Sequence, residues 1–278
     1  MPIITLTTDF GEKDHFAGAV KGAIYSELSD VKIVDISHSV SPFSIPEAAY
    51  IIQNAYCSFP KGTIHIIGID SEISKENKHI VMKLDDHYFV CANNGIMSMV
   101  CSEIAPEKIV EINIHKKIKT SFPVLDIFVK VACHIARGGT LEIIGKQVHE
   151  VKPIKNIIPF VNADKNQIIG NVIYIDNYGN VVTNIKRKFF EEFQKGRPFE
   201  IYARNYKFKE IFSKYSDIVN FDIDEDKRHD EGRGLVVFNS SNYMEIAVYK
   251  SNCATVGSAS SLMGLNMMDT VTVNFFKE

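Results

Sequence analysis

The chain has 278 residues, a length that suits two modest domains better than one core. Its formal charge is −3, from 31 Lys and Arg against 34 Asp and Glu, which argues against a protein that coats DNA or RNA, because such proteins carry a dense excess of positive charge. Hydrophobic residues make up 45% of the chain and charged residues 23%, so disorder over most of the length is not expected.

The first part of the chain alternates between strand-like and helix-like periods. The predicted strands are Ile3–Thr8, Val31–Ile36, Thr63–Ile69, His79–Leu84 and His87–Cys91, and the predicted helices are His15–Leu28, Pro46–Tyr56, one that follows Asn94-Gly95, and Ile127–Ala136. Strict alternation predicts an α/β domain whose mostly parallel sheet is covered by helices. Ligands of such sheets bind beyond the carboxyl ends of the strands, and polar residues follow three of these strands at Asp9, Ser37–Pro42 and Asp70.

The pattern changes around Val151–Gln167, where Pro153 and Pro159 interrupt a stretch without a clear period. We therefore predict an N-terminal α/β domain over residues 1–165 and a C-terminal domain over 166–278. The second domain is predicted to be an all-β barrel or sandwich, because one helix, Phe189–Gln194, stands among strand-like runs at Gly170–Ile185, Leu235–Tyr249 and Val271–Phe275.

Several familiar sites are missing. The five cysteines form no CxxC pair and are odd in number, so we expect buried free thiols in a reducing cytosol rather than disulfides or a zinc ribbon. There is no glycine-rich phosphate loop, HExxH motif or GxSxG elbow, and we expect no metal site. His65 and His79 fall within or at the start of predicted strands, and we interpret them as core or edge histidines.

The N-terminus does not resemble a signal peptide and no apolar run has membrane-spanning length, so the prediction is a soluble cytoplasmic protein without a membrane partner.

The remaining candidates are carboxylates, amides and an aromatic residue in turns. Asp9 and Asp14 bracket the first loop, and a carboxylate there either holds the two hydroxyls of a ribose or caps the next helix. The turn Asp176–Asn180 interrupts a β-branched run, and turn chemistry explains its amides and glycine but not Tyr178, an aromatic that could stack on a flat base.

The order of six segments resembles that of a known family. The segments are TLTTDFGEKDHFAGAVKG, DISHSVSPFSIPEAA, FPKGTIHIIGID, ANNG, IDNYGNVVTNI and NSSNYMEIAVYKSNCA, spread in order over nearly the whole chain. They resemble the S-adenosylmethionine hydroxide adenosyltransferases, which share a fold with fluorinase and chlorinase. The resemblance implies an α/β domain followed by a β-barrel, and a homotrimer with each site at the seam between two subunits. It also implies an SN2 attack at ribose C5′ of S-adenosylmethionine, with no metal and no organic cofactor.

The resemblance assigns binding roles in the first domain to four residues. Asp9 matches the carboxylate that holds the ribose hydroxyls, and Asp14 matches one that holds the methionine amine. Phe43 stands where the family often has Trp over the substrate, and Phe122 matches a second aromatic wall.

In the second domain, Asp176 matches another carboxylate for the methionine amine. Tyr178 and Tyr215 match the aromatic pair that sandwiches adenine, and Asn180 would hydrogen-bond the edge of the base. Two further matches are Ser240, for the carboxylate of the ligand, and the backbone around Ala254, for adenine.

The water-handling residues depart from the family pattern. Hydrolytic members resemble one another in an Asp-Arg-His set, of which this chain keeps Asp70, while Asn77 stands at the Arg position and Pro123 at the His position. Proline has neither a proton-accepting side chain nor a backbone N–H, and a positioned acid–base group contributes about 10²–10⁴-fold to a rate. Nearby replacements are Lys75 and Lys78 for the charge, and His79 and Glu72 for the base.

A halide-binding pocket is no better supported, because Ile73 and Val124 stand where halide-binding members have small or hydroxyl-bearing residues. The sequence therefore predicts a protein that binds S-adenosylmethionine and cleaves it with water to adenosine and methionine, with Asp70 orienting the water. One alternative is a non-catalytic binder or sensor of S-adenosylmethionine or adenosine, and another is an enzyme with a different nucleophile or 5′-substituted adenosine. Asp70 favours the first reading, whereas Asn77 and Pro123 favour the others.

Overall fold

The structure is a computed structural model that describes residues 1–101, 104–114, 119–154, 157–224, 227–228 and 232–276. The chain divides into two compact units, Met1–Lys155 and Asn156–Glu278. In the part of the chain that the structure describes, no helix is long and apolar enough to cross a bilayer.

The first unit is built on a seven-stranded sheet. Its strands are β1 (Ile3–Thr8), β2 (Lys32–Ser37), β3 (Ile64–Gly68), β4 (His79–Leu84), β5 (His87–Ala92), β6 (Lys108–Ile112) and β7 (Gly145–Val148). Its helices are α1 (Phe16–Glu27), α2 (Ile45–Ala55), α3 (Ile96–Val100), α4 (Val129–Ala136) and α5 (Leu141–Ile144). A short 3₁₀ turn, Tyr56–Ser58, follows α2, and a π-helical turn, Val124–Phe128, leads into α4.

The strand order is β2-β1-β3-β5-β4-β6-β7, and β2, β1, β3 and β5 run parallel. This confirms the predicted mostly parallel sheet. The predicted strict alternation is wrong at β4, which pairs antiparallel with both β5 and β6. Asp85 and Asp86 join β4 to β5 with φ of 50° and 61°, which is the geometry of a type I′ hairpin turn and needs no helix in the connection.

Helices cover both faces of this sheet because its central strands are apolar on both sides. All five residues of β3 are buried, as expected of a strand inside a parallel sheet. Ile64 and Ile66 join one core with residues of α1 and α4, whereas Ile67 joins a second core with residues of α2 and α3. The helices therefore fix β1 and β3 firmly and leave the loops after these strands to form a site.

The second unit is an eight-stranded antiparallel sheet with a barrel-like arrangement, as predicted. Its strands are β8 (Phe160–Val161), β9 (Gln167–Ile175), β10 (Val181–Lys186), β11 (Phe199–Ala203), β12 (Tyr206–Phe208), β13 (Gly234–Phe238), β14 (Tyr243–Val248) and β15 (Thr270–Phe275). They follow the order β12-β11-β15-β9-β10-β14-β13, with β8 paired to β9.

The prediction of a single helix in this unit is wrong. Besides α6 (Arg187–Gln194), the chain forms α7 (Ala259–Met263) and a 3₁₀ turn, Tyr215–Ile218. Helix α7 is too short for a periodic pattern, and Ser258 starts it by accepting the N–H of Ser261.

The cysteines are free, as predicted, but they are not all buried. Cys91 and Cys133 lie in the core, whereas Cys57 and Cys253 are exposed because they stand in a 3₁₀ turn and in an irregular loop.

Candidate functional site

The loops after β2, β1 and β3 all leave the sheet at the carboxyl ends of the strands, which we call one edge of the sheet. Thr8, the last residue of β1, pairs with Gly68, the last residue of β3, and β2 ends on the other side of β1. Because the three strands are parallel neighbours, the topology brings Asp9 and Asp70 to the same edge. This edge is the candidate site of the first unit.

Asp9 links two of these loops. Its Oδ2 accepts the backbone N–H of Phe43 at 2.9 Å. Helix α1 begins only at Phe16, with His15 at its N-cap, so the alternative that Asp9 caps this helix is wrong. No other described residue hydrogen-bonds the Asp9 carboxylate, so Oδ1 keeps its lone pairs for a ligand hydroxyl.

His38 supports the same connection from the core side. Its Nδ1 is hydrogen-bonded to the hydroxyl of Thr8 at 2.7 Å, and its carbonyl oxygen accepts the N–H of Gly11 at 2.7 Å. The loop after β1 is thereby tied to the loop after β2 at two points besides the Asp9 contact.

Phe43 is held in a strained and exposed conformation. Its φ is +62°, in the left-handed region that a bulky residue rarely occupies, and 72% of its surface is exposed. Such strain persists only where the surroundings impose it, and it concentrates at functional sites. The bond from its N–H to Asp9 is one of the contacts that impose it.

Asp70 has the same unusual backbone. Its φ is +41°, and its side chain is exposed. No described residue hydrogen-bonds its carboxylate. Asp14 is likewise exposed, and the structure shows no contact that brings it toward Asp9 or Asp70.

Phe122 belongs to an aromatic cluster that the sequence analysis did not predict. Its ring centroid lies 5.5 Å from that of Phe10 and 5.3 Å from that of Phe16, and the latter two are 5.8 Å apart. Phe10 directly follows Asp9, so the cluster lies beside the candidate carboxylate. A phenylalanine on either side of the first polar loop was the available signal for it.

The residues after Phe122 are core residues. Pro123 is buried at the start of the π-helical turn, and Val124 is fully buried. A Cβ added to Gly68 would lie 3.0 Å from Val124 Cγ2 and 3.2 Å from the Phe10 ring, so a larger residue at the end of β3 would require these side chains to shift. Pro123 and Val124 are therefore part of the apolar packing of the first unit.

The other proposed base, His79, is also a core residue. It is fully buried in β4, its Nε2 lies 2.8 Å from the carbonyl oxygen of Ser71, and its ring meets the edge of Phe128. This confirms its interpretation as a core histidine and argues against a role as a base. Glu72 and Lys75 are exposed, and Lys78 is half-buried.

His65 is a core histidine too, as interpreted from the sequence. Its Nδ1 is hydrogen-bonded to the Thr5 hydroxyl at 2.7 Å, and its Nε2 lies 3.2 Å from Nδ1 of His87. Burial, with a smaller contribution from His87, lowers the pKa of His65 to about 3. Burial also lowers the pKa of His87. Both rings are thus neutral structural groups near neutral pH.

In the second unit, Asp176 organises the turn between β9 and β10. Its Oδ1 accepts the backbone N–H groups of Tyr178 at 2.9 Å and Asn180 at 2.8 Å, and its Oδ2 accepts the side-chain amide of Asn180 at 3.0 Å. Tyr178 keeps 63% of its surface exposed at the tip of the turn. Asn180 is 6% exposed, and its Oδ1 is a buried acceptor without a partner among the described residues.

Tyr215 is anchored by a buried carboxyl group that the sequence analysis missed. Its hydroxyl donates to Oε1 of Glu245 at 2.7 Å, and the amide of Asn239 donates to Oε2 at 3.1 Å. Glu245 is 3% exposed in β14. Burial raises the pKa of Glu245, the charge of Asp176 adds to the rise, and the bonds from Tyr215 and Asn239 oppose it.

Two further loops adjoin these groups. The hydroxyl of Ser251 donates to the carbonyl oxygen of Tyr178 at 3.1 Å, and this loop continues to Ala254, whose N–H is bound by Asn252 Oδ1 at 2.9 Å. Ser240 is exposed in the turn from β13 to β14, next to Asn239. The second unit therefore gathers the turn of Asp176, the anchored Tyr215 and the loops of Ser240 and Ala254 into one region.

Across the described residues, no three His, Cys, Asp or Glu side chains are grouped so that they could hold a metal ion.

Both units match models of one family. Residues 4–145 match the SAM hydroxide adenosyltransferase N-terminal domain, and residues 170–272 match the SAM hydroxide adenosyltransferase C-terminal domain. SAM is S-adenosylmethionine.

Individual relatives agree with this match. The chain is 28% identical over 285 residues to an (R)-S-adenosyl-L-methionine hydrolase of Methanocaldococcus jannaschii, covering 98% of this chain and 96% of that protein. It is 24% identical over 225 residues to a fluorinase of Nocardia brasiliensis, covering 70% of this chain and 75% of that protein. A crystal structure of an uncharacterized conserved protein from Thermotoga maritima superposes with a TM-score of 0.81 at 29% identity, over 98% of this chain and 99% of that one.

Proposed function

Because the chain belongs to the SAM hydroxide adenosyltransferase family, we propose that it binds S-adenosylmethionine and cleaves it with water to adenosine and methionine. The observation that carries the proposal is the pair of carboxylates at the ends of the neighbouring parallel strands β1 and β3. Asp9 has one oxygen bound by the chain and one open, and the Asp70 carboxylate is open altogether. One carboxylate can hold the sugar while the other orients a nucleophile.

The reaction is a single displacement. The water oxygen forms a bond to ribose C5′ as the bond from C5′ to sulfur breaks, and the electron pair of that bond neutralises the sulfonium to the thioether of methionine. The water gives up one proton, which leaves to solvent through Asp70. A sulfonium is a good leaving group, so holding water and C5′ in line supplies much of the rate.

Four residues of the first unit hold the nucleoside and its tail in this proposal. Asp9 Oδ1 accepts a ribose hydroxyl, Phe43 and Phe122 pack against the ligand, and Asp14 meets the methionine ammonium. The exposed side chain of Phe43, which stands on a strained backbone, and the aromatic cluster around Phe122 support the apolar roles.

The second unit supplies the base-binding groups. Tyr178 and Tyr215 present exposed rings for adenine, and the unpartnered Oδ1 of Asn180 accepts the exocyclic amine of the base. Asp176, which already holds the turn, adds negative charge for the methionine ammonium. The remaining proposed contacts are Ser240, to the ligand carboxylate, and the backbone around Ala254, to adenine.

We expect the turnover to be slow. Pro123 is buried and has no side-chain proton acceptor, so in this proposal Asp70 orients the water without a histidine at that position. Loss of a positioned acid–base group costs about 10²–10⁴-fold in rate.

The assembly and setting belong to the same proposal. We propose a homotrimer in which each site combines the first unit of one subunit with the second unit of another, and a cytoplasmic location, which the free cysteines support. Sedimentation velocity tests the assembly, and a monomer that retains turnover would overturn it.

The central experiment incubates the purified protein with S-adenosylmethionine and follows adenosine and methionine by chromatography, in the presence of EDTA because the proposal needs no metal. Asp70→Ala is expected to lower adenosine release by about 10²–10⁴-fold and to leave a measurable residual rate, which comes from the alignment of the bound substrate. Asp30→Ala is the matched control. Asp30 is an exposed aspartate just before β2, and it therefore lies at the amino ends of the parallel strands, away from Asp70. Saturable binding without adenosine release would overturn hydrolysis and favour a non-catalytic binder.

A second variant tests the ribose contact. Asp9→Asn keeps the shape of the side chain and the oxygen that accepts the Phe43 N–H. It loses the negative charge and the second oxygen, which is the proposed acceptor for the ribose hydroxyl. Hydrogen bonds to charged groups contribute about 1.5–3 kcal/mol, so the affinity for S-adenosylmethionine should fall by about 10–150-fold. Unchanged affinity in calorimetry would remove Asp9 from the site.

A further inference from the structure

The loop after β3 carries Asp70 in a conformation that requires support. Its φ of +41° is unfavourable for any residue except glycine, although aspartate tolerates it better than most. Two side-chain amides meet its carbonyl oxygen: Nδ2 of Asn77 at 2.9 Å and, more weakly, Nδ2 of Asn94 at 3.4 Å. The amide of Asn94 also binds the carbonyl oxygen of Ile69 at 3.0 Å. The backbone on which the Asp70 carboxylate depends is therefore held by amides.

Asn77 makes the larger share of these contacts. Its Nδ2 also donates to the carbonyl oxygen of Glu72 at 3.0 Å, so the two amide hydrogens have one acceptor each. Its own N–H donates to the hydroxyl of Ser74 at 3.0 Å, and its carbonyl oxygen accepts the N–H of Ser74 at 3.0 Å. Asn77 thereby closes the loop with its side chain and its backbone.

The hydrogen bonds from Asn77 and Asn94 do not involve the carboxylate of Asp70. They engage the carbonyl oxygen of Asp70, and no described residue binds its carboxylate. A neutral amide cannot supply the charge of an arginine, but it can set the direction in which the carboxylate points.

We propose that Asn77 is a positioning residue for the reaction: its amide holds the strained backbone of Asp70, so that the carboxylate faces the attacking water. This inference rests on the proposed function, since it gives Asp70 that task. In this proposal Asn77 acts by fixing the position of the Asp70 backbone, whereas Lys75 or Lys78 would act through a positive charge. Lys75 is exposed and Lys78 is half-buried, and neither is among the residues that hydrogen-bond the backbone of Asp70.

The test compares Asn77→Leu and Asn77→Ala with the unmodified protein. Leucine has the branching and nearly the shape of asparagine but donates no hydrogen bond, so it separates the donor from the packing. Displacement of a reacting group by about 1 Å can cost on the order of 10²-fold, and we expect kcat to fall by about 10–100-fold in both variants while KM changes by less than about threefold. Glu76→Gln, at an exposed neighbouring position, is the control. Full kcat in Asn77→Leu would overturn the proposal.

A double-mutant cycle shows whether Asn77 acts through Asp70. In an Asp70→Ala background, Asn77→Leu should cause no further fall, because there is no carboxylate left to position. Equal falls in both backgrounds would show a general structural role and would overturn the proposal.

Hydrogen exchange keeps this test separate from the proposed function. Asn77→Leu should speed exchange of the amides of Ser74 and Glu76, which are bonded within the loop, by about tenfold or more. Unchanged exchange would overturn the positioning role even in a protein that turns over S-adenosylmethionine. An unmodified protein that releases no adenosine would overturn both the hydrolase function and the task given to Asp70.

Discussion

Lowering the pH should destabilise the first unit through His65. The unfolded chain protonates a histidine near pH 6.5, whereas burial lowers the pKa of the folded His65 to about 3. The unfolded state therefore binds more protons between these values. The stability that comes from the neutral ring is complete above pH 6.5 and is lost as the pH falls toward 3.

The magnitude follows from the width of this window. Each pH unit below 6.5 costs on the order of 1.4 kcal/mol for one proton, so at pH 4.5 the free energy of unfolding should have lost about 3 kcal/mol through His65 alone. Because His65 binds Thr5 on β1 and lies in β3, the loss affects the two strands that carry Asp9 and Asp70.

The assay is urea unfolding at several pH values between 7.5 and 4.5. Carboxylates also titrate in this range, so the quantity to compare is the difference between the unmodified protein and His65→Gln, whose amide keeps hydrogen-bonding groups but does not titrate. This difference should shrink by about 3 kcal/mol on acidification, and His149→Gln, at an exposed histidine, is the matched control. A curve for His65→Gln that runs parallel to that of the unmodified protein would refute the reasoning.

Two further predictions concern the second unit. Gly179→Ala should lower the free energy of unfolding by about 1–3 kcal/mol in urea, since φ is +73° and the added Cβ would lie 2.2 Å from Ser258 Oγ; an unchanged midpoint would contradict the required glycine. Tyr215→Phe should cost about 1–3 kcal/mol, because the buried Glu245 loses a hydrogen-bond donor. The hydrogen bond from Tyr215 lowers the pKa of the Glu245 carboxyl, so Tyr215→Phe should also raise that pKa. Thermal melts together with infrared titration of the carboxyl measure both effects, and a pKa that stays in place would count against the bond.

The sequence could predict the architecture because hydrophobic periodicity is local. The apolar runs of β1, β3, β4 and β5 and the helical spacing of α1 and α2 identify these elements within a residue or two. The short strands β11 and β12 and the helix α7 are not visible in this way, since a few residues define no period and their hydrogen-bond partners are remote in sequence.

Only part of the candidate site could be predicted from the sequence. Asp9 and Asp70 could be placed at one edge because parallel strands end together. Phe10 and Phe16 were missed, although they pack against Phe122, and so was Glu245 beneath Tyr215. The phenylalanines on either side of the first polar loop suggest an aromatic contact, but the sequence does not identify a partner that stands 30 or more positions away.

By itself, then, the sequence determined the fold class, through its periodicity, and the family resemblance, through the order of its motifs. The tertiary structure decided what individual polar residues do. It shows that Asp9 accepts the N–H of Phe43 instead of capping α1, that Pro123 is core, and that the Asn77 amide holds the backbone of Asp70. The reason is physical: periodicity reflects neighbours a few residues apart, whereas the partners of a buried or strained polar group are set by the order of strands in the sheet.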